Sequence, residues 1–441
     1  MDFNQVITAA FGLQEILIQD IKMDLNRRAM SIYAEHPWGL CHCCHCGDVL
    51  FEFHQWSQRK VRLAPWGAYF FVTLELRYPR GRCRGCMSVR TAGLSFVHEK
   101  FESLSCTLVE VAGRMMEELT CEATARLLQL DAKLLWKIDQ WRMQEMKNHF
   151  KLPEDLDVSR MSADEVHFYT KELKDRPHPF APRWFIKYVT NLVCTKHGKV
   201  ISNASGREGL SLKKCLTVLT KPQLLSVEFF SVDMHQGYMR MIQKMCPNAE
   251  IAVDRFHLAQ SLNEAFDQVR KHEFWKARRS ENDFEKTMLS PGRRFILVER
   301  GAVLSIEEQN LLGKLRMLND NIHNAMLITD EFHKVLDEKG VKQFRQRLGR
   351  WYGLVRQARL KPLTDFALKV RHYRLNIEAY IRSNLTTAIS EGLNNKIRVL
   401  KAAAYGYTNE KSFMNKILQR CGFLNSTWMD TSKLFYQSSL A

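Results

Sequence analysis

The chain of 441 residues carries a formal net charge of +17 at pH 7, and 45% of its residues are hydrophobic. This length is typical of about three domains, and the hydrophobic content is sufficient for packed cores. No apolar run is long enough to cross a membrane, and the first residues lack the features of a secretion signal. We therefore expect a cytoplasmic protein. The charge indicates a polyanionic partner such as nucleic acid, and a generally basic soluble protein is the alternative.

Two Cys-x-x-Cys pairs occur near the N-terminus, and their members are Cys43, Cys46, Cys83 and Cys86. Each pair can place two thiolates on one side of a tetrahedron, as in a structural zinc site. In a reducing compartment, cysteines in such pairs favour metal over disulfides. The strand-like segment between the pairs, WGAYFFVTLELRY, predicts a zinc ribbon. Incidental thiols are the alternative, and four residues of the same stretch compete as ligands: Cys41, His42, Cys44 and His45.

Residues 119–141 read LTCEATARLLQLDAKLLWKIDQW and predict two helices joined by a short turn. Asp131 can cap the second helix, while Leu130, Leu135 and Ile138 would seal the two helices together. Gln129 occupies the turn, where a glycine is usual. This spacing predicts a helix-turn-helix, whose second helix reads the major groove, and an ordinary helical hairpin is the alternative. The outward-facing side chains, our predicted DNA contacts, are Lys133, Trp136, Lys137 and Gln140.

From about residue 160 the pattern changes to strands. The segments MSADEVHFY, RWFIKYVTNLVC and KVISNAS predict an antiparallel meander. They are followed by a β-α-β unit whose parallel strands are LLSVEFFSVDM and EIAVDRFH. Asp233 and Asp254 end these two strands, at the sheet edge where open α/β sheets place their sites. Residues 276–385 are mostly helical and are interpreted as an insertion.

Three acidic residues lie among apolar neighbours: Asp164, Asp233 and Glu391. An ionised carboxylate in such a setting is costly without a compensating cation. Three converging carboxylates suit two Mg²⁺ or Mn²⁺ ions, which can activate water or a 3′-hydroxyl at a phosphodiester. The alternatives are helix capping by Asp233 or Asp254 and a helix N-terminal charge at Glu391. Glu165 alternates to the opposite strand face and is expected to be solvated.

The segment SNLTTAISEGLNNKIRVL, residues 383–400, is predicted as the helix that carries Glu391. An apolar stripe of Ile389, Leu393, Ile397 and Leu400 faces one side. Three polar side chains on the other side can contact a DNA backbone beside Glu391, and they are Asn394, Asn395 and Arg398.

With these motifs in order, the sequence resembles the ISL3 family of bacterial insertion-sequence transposases, which belong to the DDE group with an RNase H-like core. The resemblance covers nearly the whole chain, and its most specific strings are CPNAEIAVDRFH and SEGLNNKIRVLKAAAYGY. It implies that Asp164, Asp233 and Glu391 form the metal-binding triad. It also implies that Asp254 and His257 match an Asp-x-x-His signature of related transposases.

We therefore predict an α/β multidomain protein with an N-terminal zinc ribbon, a helix-turn-helix and an RNase H-like mixed-sheet catalytic core interrupted by an all-helical insertion. The predicted segments are a zinc-ribbon domain (1–100), a helix-turn-helix domain (101–155), the first part of the core (156–275), the insertion (276–385) and the last core helices (386–441).

The predicted function is a DNA transposase that binds terminal inverted repeats, cleaves their strands with Mg²⁺ or Mn²⁺ and joins them to target DNA. It would act as a homodimer or higher oligomer in the bacterial cytoplasm, associated with the nucleoid. The alternatives are a DNA-binding regulator derived from a transposase and a metal-dependent nuclease that does not join strands.

Overall fold

The computed structural model describes residues 2–39, 41–172, 184–280, 282–291, 305–383, 388–404 and 406–427. The chain separates into two compact units. The first unit contains Met1–Lys151 and Leu400–Ala441, and the second contains Leu152–Val399. The segment 386–441, which we assigned to the catalytic core, is thus divided between the units. No helix in the described ranges is long and apolar enough to cross a membrane.

The N-terminal part of the first unit is a twisted sheet with one helix. Its elements are α1 (Phe3–Phe11), β1 (Leu17–Asp24), β2 (Ala29–Glu35), β3 (Leu50–Leu63), β4 (Phe71–Cys83) and β5 (Val89–Thr91). The strand order is β1-β2-β4-β3, with β5 paired to β4. Side chains alternate between the two faces of β4, so Val72, Leu74 and Leu76 point into one core, which also contains Ile7 of α1.

The remaining part of the first unit is helical: α2 (Cys106–Glu118), α3 (Cys121–Leu128), α4 (Ala132–His149) and, from the far end of the chain, α16 (Glu410–Cys421). The two helices predicted from residues 119–141 are present as α3 and α4. Gln129 joins them in the left-handed conformation (φ 51°), which explains why a glycine is usual there. Asp131 caps α4 by accepting from the Leu134 N–H at 3.0 Å.

Buried ion pairs hold the helices of the first unit together. Lys416 of α16 donates to the Asp139 carboxylate at 2.8 Å and to the Met116 carbonyl at 2.9 Å. Arg142 of α4 pairs with Glu117 of α2. Each of these charges is therefore compensated where it is buried.

The second unit is built on a five-stranded mixed sheet of β6 (Arg160–Glu172), β7 (Trp184–Cys194), β8 (Lys199–Ser205), β9 (Phe229–Val232) and β10 (Glu250–Val253). The strand order is β10-β9-β6-β7-β8. The predicted meander is confirmed, because β7 pairs antiparallel with both β6 and β8. The predicted parallel pair is also confirmed, because β10 runs parallel to β9.

The helices of the second unit come from two stretches. Those between the strands are α5 (Gly209–Leu216), α6 (Lys221–Ser226) and α7 (Gln236–Met245). Those after the sheet are α8 (Arg255–Arg279), α9 (Asp283–Met288), α10 (Ile306–Leu318), α11 (Asp320–Leu336), α12 (Val341–Ala358), α13 (Lys361–His372), α14 (Arg374–Ser383) and α15 (Ala388–Ala403). The predicted strand LLSVEFFSVDM begins later than expected, because Thr220 and Gln223 form a capping box that starts α6.

Candidate active site and metal centre

Four cysteines of the first unit come together as predicted. The sulfur atoms of Cys43, Cys46, Cys83 and Cys86 all lie within 4.8 Å of one another. Each Cys-x-x-Cys pair forms a tight turn, which we call a knuckle. The β3–β4 pairing, in which Leu50 is opposite Cys83, brings the two knuckles together. Backbone N–H groups of His45 and Cys86 donate to the sulfurs of Cys43 and Cys83, both at 3.4 Å. These bonds stabilise thiolates, which are the form that binds metal.

Contacts within the cluster shift the pKa values of Cys83 and Cys86 in opposite directions. The backbone N–H of Cys86 and neighbouring thiols lower the pKa of Cys83 to about 7. The hydrogen bond that the Cys86 thiol donates to the Cys46 sulfur, together with burial, raises the pKa of Cys86 to about 12. Four thiols at this spacing fit a tetrahedral zinc site, because the ion would replace the shared protons.

The competing residues mostly face other partners. Cys41 donates to the Pro37 carbonyl at 3.3 Å, Cys44 accepts from Thr91 at 3.2 Å, and the His42 ring lies 3.1 Å from the Gly47 carbonyl. His45 is closer to the cluster, with its Nδ1 3.6 Å from the Cys86 sulfur. The geometry therefore groups the four cysteines that the spacing predicted.

In the second unit, three aspartates form a row across adjacent parallel strands. Ser162 of β6 is paired with Ser231 of β9. Asp164 and Asp233 each follow two residues later in the chain, so they lie at the same level of the sheet. Val253 of β10 pairs with Val232, so that Asp254 follows at the same level. Neighbouring strands are about 4.8 Å apart, which places the three carboxylates side by side without superimposing them. We call these three residues the aspartate row.

The pKa values at this edge report the crowding of negative charge. Burial and the charges of Asp164 and Asp233 raise the pKa of Asp254 to about 6. The pKa of Asp164 is raised by burial and by Asp233, although hydrogen bonds from Glu165 and Asn394 oppose the shift. A divalent cation would relieve both causes, so this donor set fits Mg²⁺ or Mn²⁺.

Glu165 is not solvated as expected. The side chain is half-buried, and burial with the charges of Asp164 and Asp233 raises its pKa to about 7. Its cross-strand partner Thr190 hydrogen-bonds Tyr238 of α7 at 2.7 Å, so this face of the sheet is covered by a helix. Alternation placed Glu165 on the opposite face from Asp164, and a helix packs over that face.

His257 and the N-caps of α7 and α8 lie at the same edge of the sheet as the aspartate row. The His257 Nδ1 lies 3.9 Å from the Asp233 carboxylate. Asp254 is the N-cap of α8 and accepts from the Phe256 N–H at 2.7 Å, as the capping alternative predicted, while also belonging to the row. The N-cap of α7 is His235 rather than Asp233. Asp233 therefore does not cap α7, and its carboxylate accepts from the Met234 N–H.

Glu391 lies in the first turn of α15 and is exposed. Asn394, one turn later, is half-buried and donates from Nδ2 to the Asp164 carboxylate. Asn395 and Arg398 are exposed and hydrogen-bonded to each other at 2.8 Å. Of the predicted apolar stripe, Leu393, Ile397 and Leu400 are buried, whereas Ile389 is 37% exposed.

Within the ranges that the structure describes, the four cysteines are the one group of three or more His, Cys, Asp or Glu side chains whose ligand atoms all lie within 4.8 Å. The triad of Asp164, Asp233 and Glu391 is more widely spaced. A second polar group lies beside it: Asn191, opposite Asp164 on β7, is 2% exposed, and neither of its amide atoms has a hydrogen-bond partner. Such a buried amide next to carboxylates is consistent with a site for a hydrated ion.

On α4, the predicted DNA-contact residues differ in exposure. Lys133, Trp136 and Lys137 are exposed, and Trp136 retains 51% of its accessible surface. Gln140 differs, because it is half-buried and accepts from the Ser412 hydroxyl at 3.2 Å.

Comparison with known proteins defines the class of this molecule. The ISL3 family model, described as "Transposase", matches residues 182–417, more than half of the chain. The transposase for insertion sequence element IS1001 of Bordetella parapertussis is 25% identical over 393 residues, covering 88% of this chain and 91% of the relative. The transposase for IS1557 of Mycobacterium tuberculosis is 22% identical over 246 residues, covering 52% and 55%. The molecule is a transposase of an insertion sequence.

More particularly, the chain belongs to the ISL3 family of transposases, as the sequence motifs predicted. Among solved structures, a chain of the Drosophila P element transposase strand transfer complex matches with a TM-score of 0.32 and 9% identity. That match covers 73% of this chain and 93% of the other.

Proposed function

We propose that this transposase binds the terminal inverted repeats of its insertion sequence, cleaves the DNA strands there and joins the freed 3′-hydroxyls to target DNA. The observation that carries the proposal is the aspartate row, because three carboxylates on adjacent strands share an edge without enough positive charge to balance them. The order β10-β9-β6-β7-β8, in which β7 alone runs opposite to the other four strands, supports an RNase H-like core.

In this proposal Asp164, Asp233 and Glu391 hold two Mg²⁺ or Mn²⁺ ions. When bound, the ions would activate the attacking hydroxyl and stabilise the leaving oxygen of the phosphodiester. Two ions are about 3.5–4 Å apart in such centres, so the third acid need not reach the same ion as the first. The His257 Nδ1 lies 3.9 Å from the Asp233 carboxylate, so a protonated His257 would attract that carboxylate and help to orient it.

The positive surface of the protein would hold the DNA. Lys133, Trp136 and Lys137 project from α4, where a recognition helix would meet the major groove. The exposed pair of Asn395 and Arg398 on α15 can contact phosphates near Glu391. Two element ends must be joined, so a homodimer or higher oligomer would assemble on the DNA.

The direct test uses a DNA fragment that carries the element ends together with a supercoiled target plasmid. The wild-type protein in Mg²⁺ should give cleaved ends and joined products, whereas Glu391→Gln should bind the ends but neither cleave nor join them. Cleavage without joining would favour a nuclease, and binding without cleavage by the wild type would favour a regulator. Full cleavage by Glu391→Gln would remove Glu391 from the triad.

A separate experiment tests the zinc proposal. Cys43→Ser should lower the zinc content from roughly one ion per chain and weaken binding to the element ends, because the ion would fix the knuckles. Cys44→Ser is the matched control, since Cys44 faces Thr91 instead of the cluster. Unchanged zinc in Cys43→Ser by elemental analysis would contradict the ligand set.

A further inference from the structure

Two adjacent asparagines on α15 have different surroundings. Asn394 is half-buried, and its Nδ2 donates to Oδ2 of Asp164 on β6. Asn395 is exposed, and its Oδ1 accepts from Arg398 at 2.8 Å. The first of the two asparagines therefore faces the acidic edge, and the second faces solvent.

The contact of Asn394 belongs to a two-point attachment of α15 to β6. The hydroxyls of Ser390 and Ser162 are 2.8 Å apart, and Asn394 meets Asp164 one helical turn further on. Ser390 and Asn394 are four residues apart on one helix face, while Ser162 and Asp164 are two residues apart on one strand face. The spacings of the helix and of the strand match, so the two contacts reinforce one another.

This attachment fixes the orientation of the Asp164 carboxylate. Oδ1 accepts from the backbone N–H of Glu165 at 2.7 Å, and Oδ2 accepts from Asn394. A carboxylate has about four lone-pair sites, so both oxygens keep capacity for a cation after these two bonds. An amide suits this place, because it donates without adding a positive charge that would compete with the ion.

We infer that Asn394 is a positioning residue: it orients the Asp164 carboxylate for divalent-ion binding and, through α15, keeps Glu391 beside the first acid. This assignment replaces the DNA contact expected from the sequence, and it rests on the proposed function of Asp164 as a metal ligand. Its partner lies 230 residues earlier in the chain. Loss of such an outer-shell hydrogen bond typically lowers metal affinity by about 10- to 100-fold.

The test measures Mn²⁺ binding to the zinc-loaded full-length protein by the electron paramagnetic resonance signal of the free ion, so it does not depend on activity. Asn394→Leu keeps the branched shape of the side chain and Asn394→Ala keeps the helix, and thermal unfolding without Mn²⁺ checks that each variant is folded. Both should bind Mn²⁺ about tenfold or more weakly than the wild type. Asn395→Ala is the matched control and should bind Mn²⁺ like the wild type.

Binding of the zinc-loaded protein to a labelled element-end DNA, without added Mg²⁺ or Mn²⁺, gives the opposite pattern. Asn394→Leu should retain the wild-type affinity, and Asn395→Ala should lose part of it. Wild-type Mn²⁺ affinity in both folded Asn394 variants would overturn the positioning role and leave the metal site intact. Asp164→Asn separates the two proposals: if it binds Mn²⁺ as tightly as the wild type, the metal site proposed at Asp164 is wrong, and the positioning role is overturned with it.

Discussion

Carboxylates in the two units of this transposase have opposite electrostatic surroundings. In the first unit, Glu117 and Asp139 are 7% and 1% exposed, and each meets a buried cation, Arg142 or Lys416. In the second unit, Asp164, Asp254 and Glu165 are half-buried near the sheet edge, and burial together with neighbouring negative charges raises their pKa values. Compensated charge is typical of structural pairs, whereas strongly perturbed carboxylates gathered at one edge are typical of functional sites.

The comparison predicts that removing a charge has opposite effects in the two units, and the largest effect is on catalysis. Asp233→Asn should lower the cleavage rate by more than about 1,000-fold, because a triad member is lost. The metal-free variant should be as stable as the wild type or more so, since one of the repelling charges is gone. Cleavage assays and thermal unfolding of the same sample measure both. A strongly destabilised Asp233→Asn would show that the row has a structural role.

In the first unit, Lys416→Met should destabilise the fold by about 3–5 kcal/mol, because Asp139 would remain buried and unpaired. Denaturant unfolding followed by tryptophan fluorescence reports this loss. Asp139→Leu in the same chain should recover most of it, since an apolar pair can replace a buried ion pair. If the single variant changes stability by less than about 1 kcal/mol, the pair is not compensating a buried charge.

The third prediction concerns pH. A carboxyl with a raised folded-state pKa binds more protons when folded, so stability falls as the pH rises from its ordinary value toward the folded value. For Glu165, with a pKa of about 7, the metal-free protein should lose on the order of 2–3 kcal/mol between pH 4.5 and 7.5. Unfolding of wild type and Glu165→Gln across that range measures the contribution. Parallel stability curves for the two proteins would contradict it.

The smallest effect is expected at an exposed ion pair. Lys60 and Glu75 are 2.9 Å apart, and 73% of the lysine side chain is exposed. Lys60→Ala should leave the free energy of unfolding almost unchanged, because solvent screens the pair. The same denaturant experiment provides the measurement. A change as large as that of Lys416→Met would mean that burial is not what distinguishes the two kinds of pair.

Local patterns predicted much of the second unit. Alternation and turn residues gave the meander, and the position of Asp233 and Asp254 after apolar strands placed both at the carboxyl edge. The cysteine spacing likewise predicted the cluster of four thiols, because each knuckle is formed by residues close in sequence. These features depend on interactions over a few residues, which a single sequence displays.

Two features could not be predicted because they depend on tertiary packing. Glu165 was assigned to solvent from its alternation with Asp164, and the alternation is correct. Its face is nevertheless covered by α7, and nothing near Glu165 in the sequence indicates that a helix packs there. The bond between Asn394 and Asp164 joins residues 230 positions apart, so the polar face of α15 looked like a solvated or DNA-binding surface.

Asp254 has two simultaneous tasks, since it belongs to the aspartate row and caps α8. That helix runs for 25 residues, roughly 37 Å at 1.5 Å per residue. Because Asp254 caps this helix, a rearrangement of the carboxylates that draws Asp254 toward an ion would also shift the first turn of the helix. A small displacement of Asp254 would then become a larger movement at Arg279, near the start of the predicted insertion, so ion binding at the proposed centre would move residues far from it.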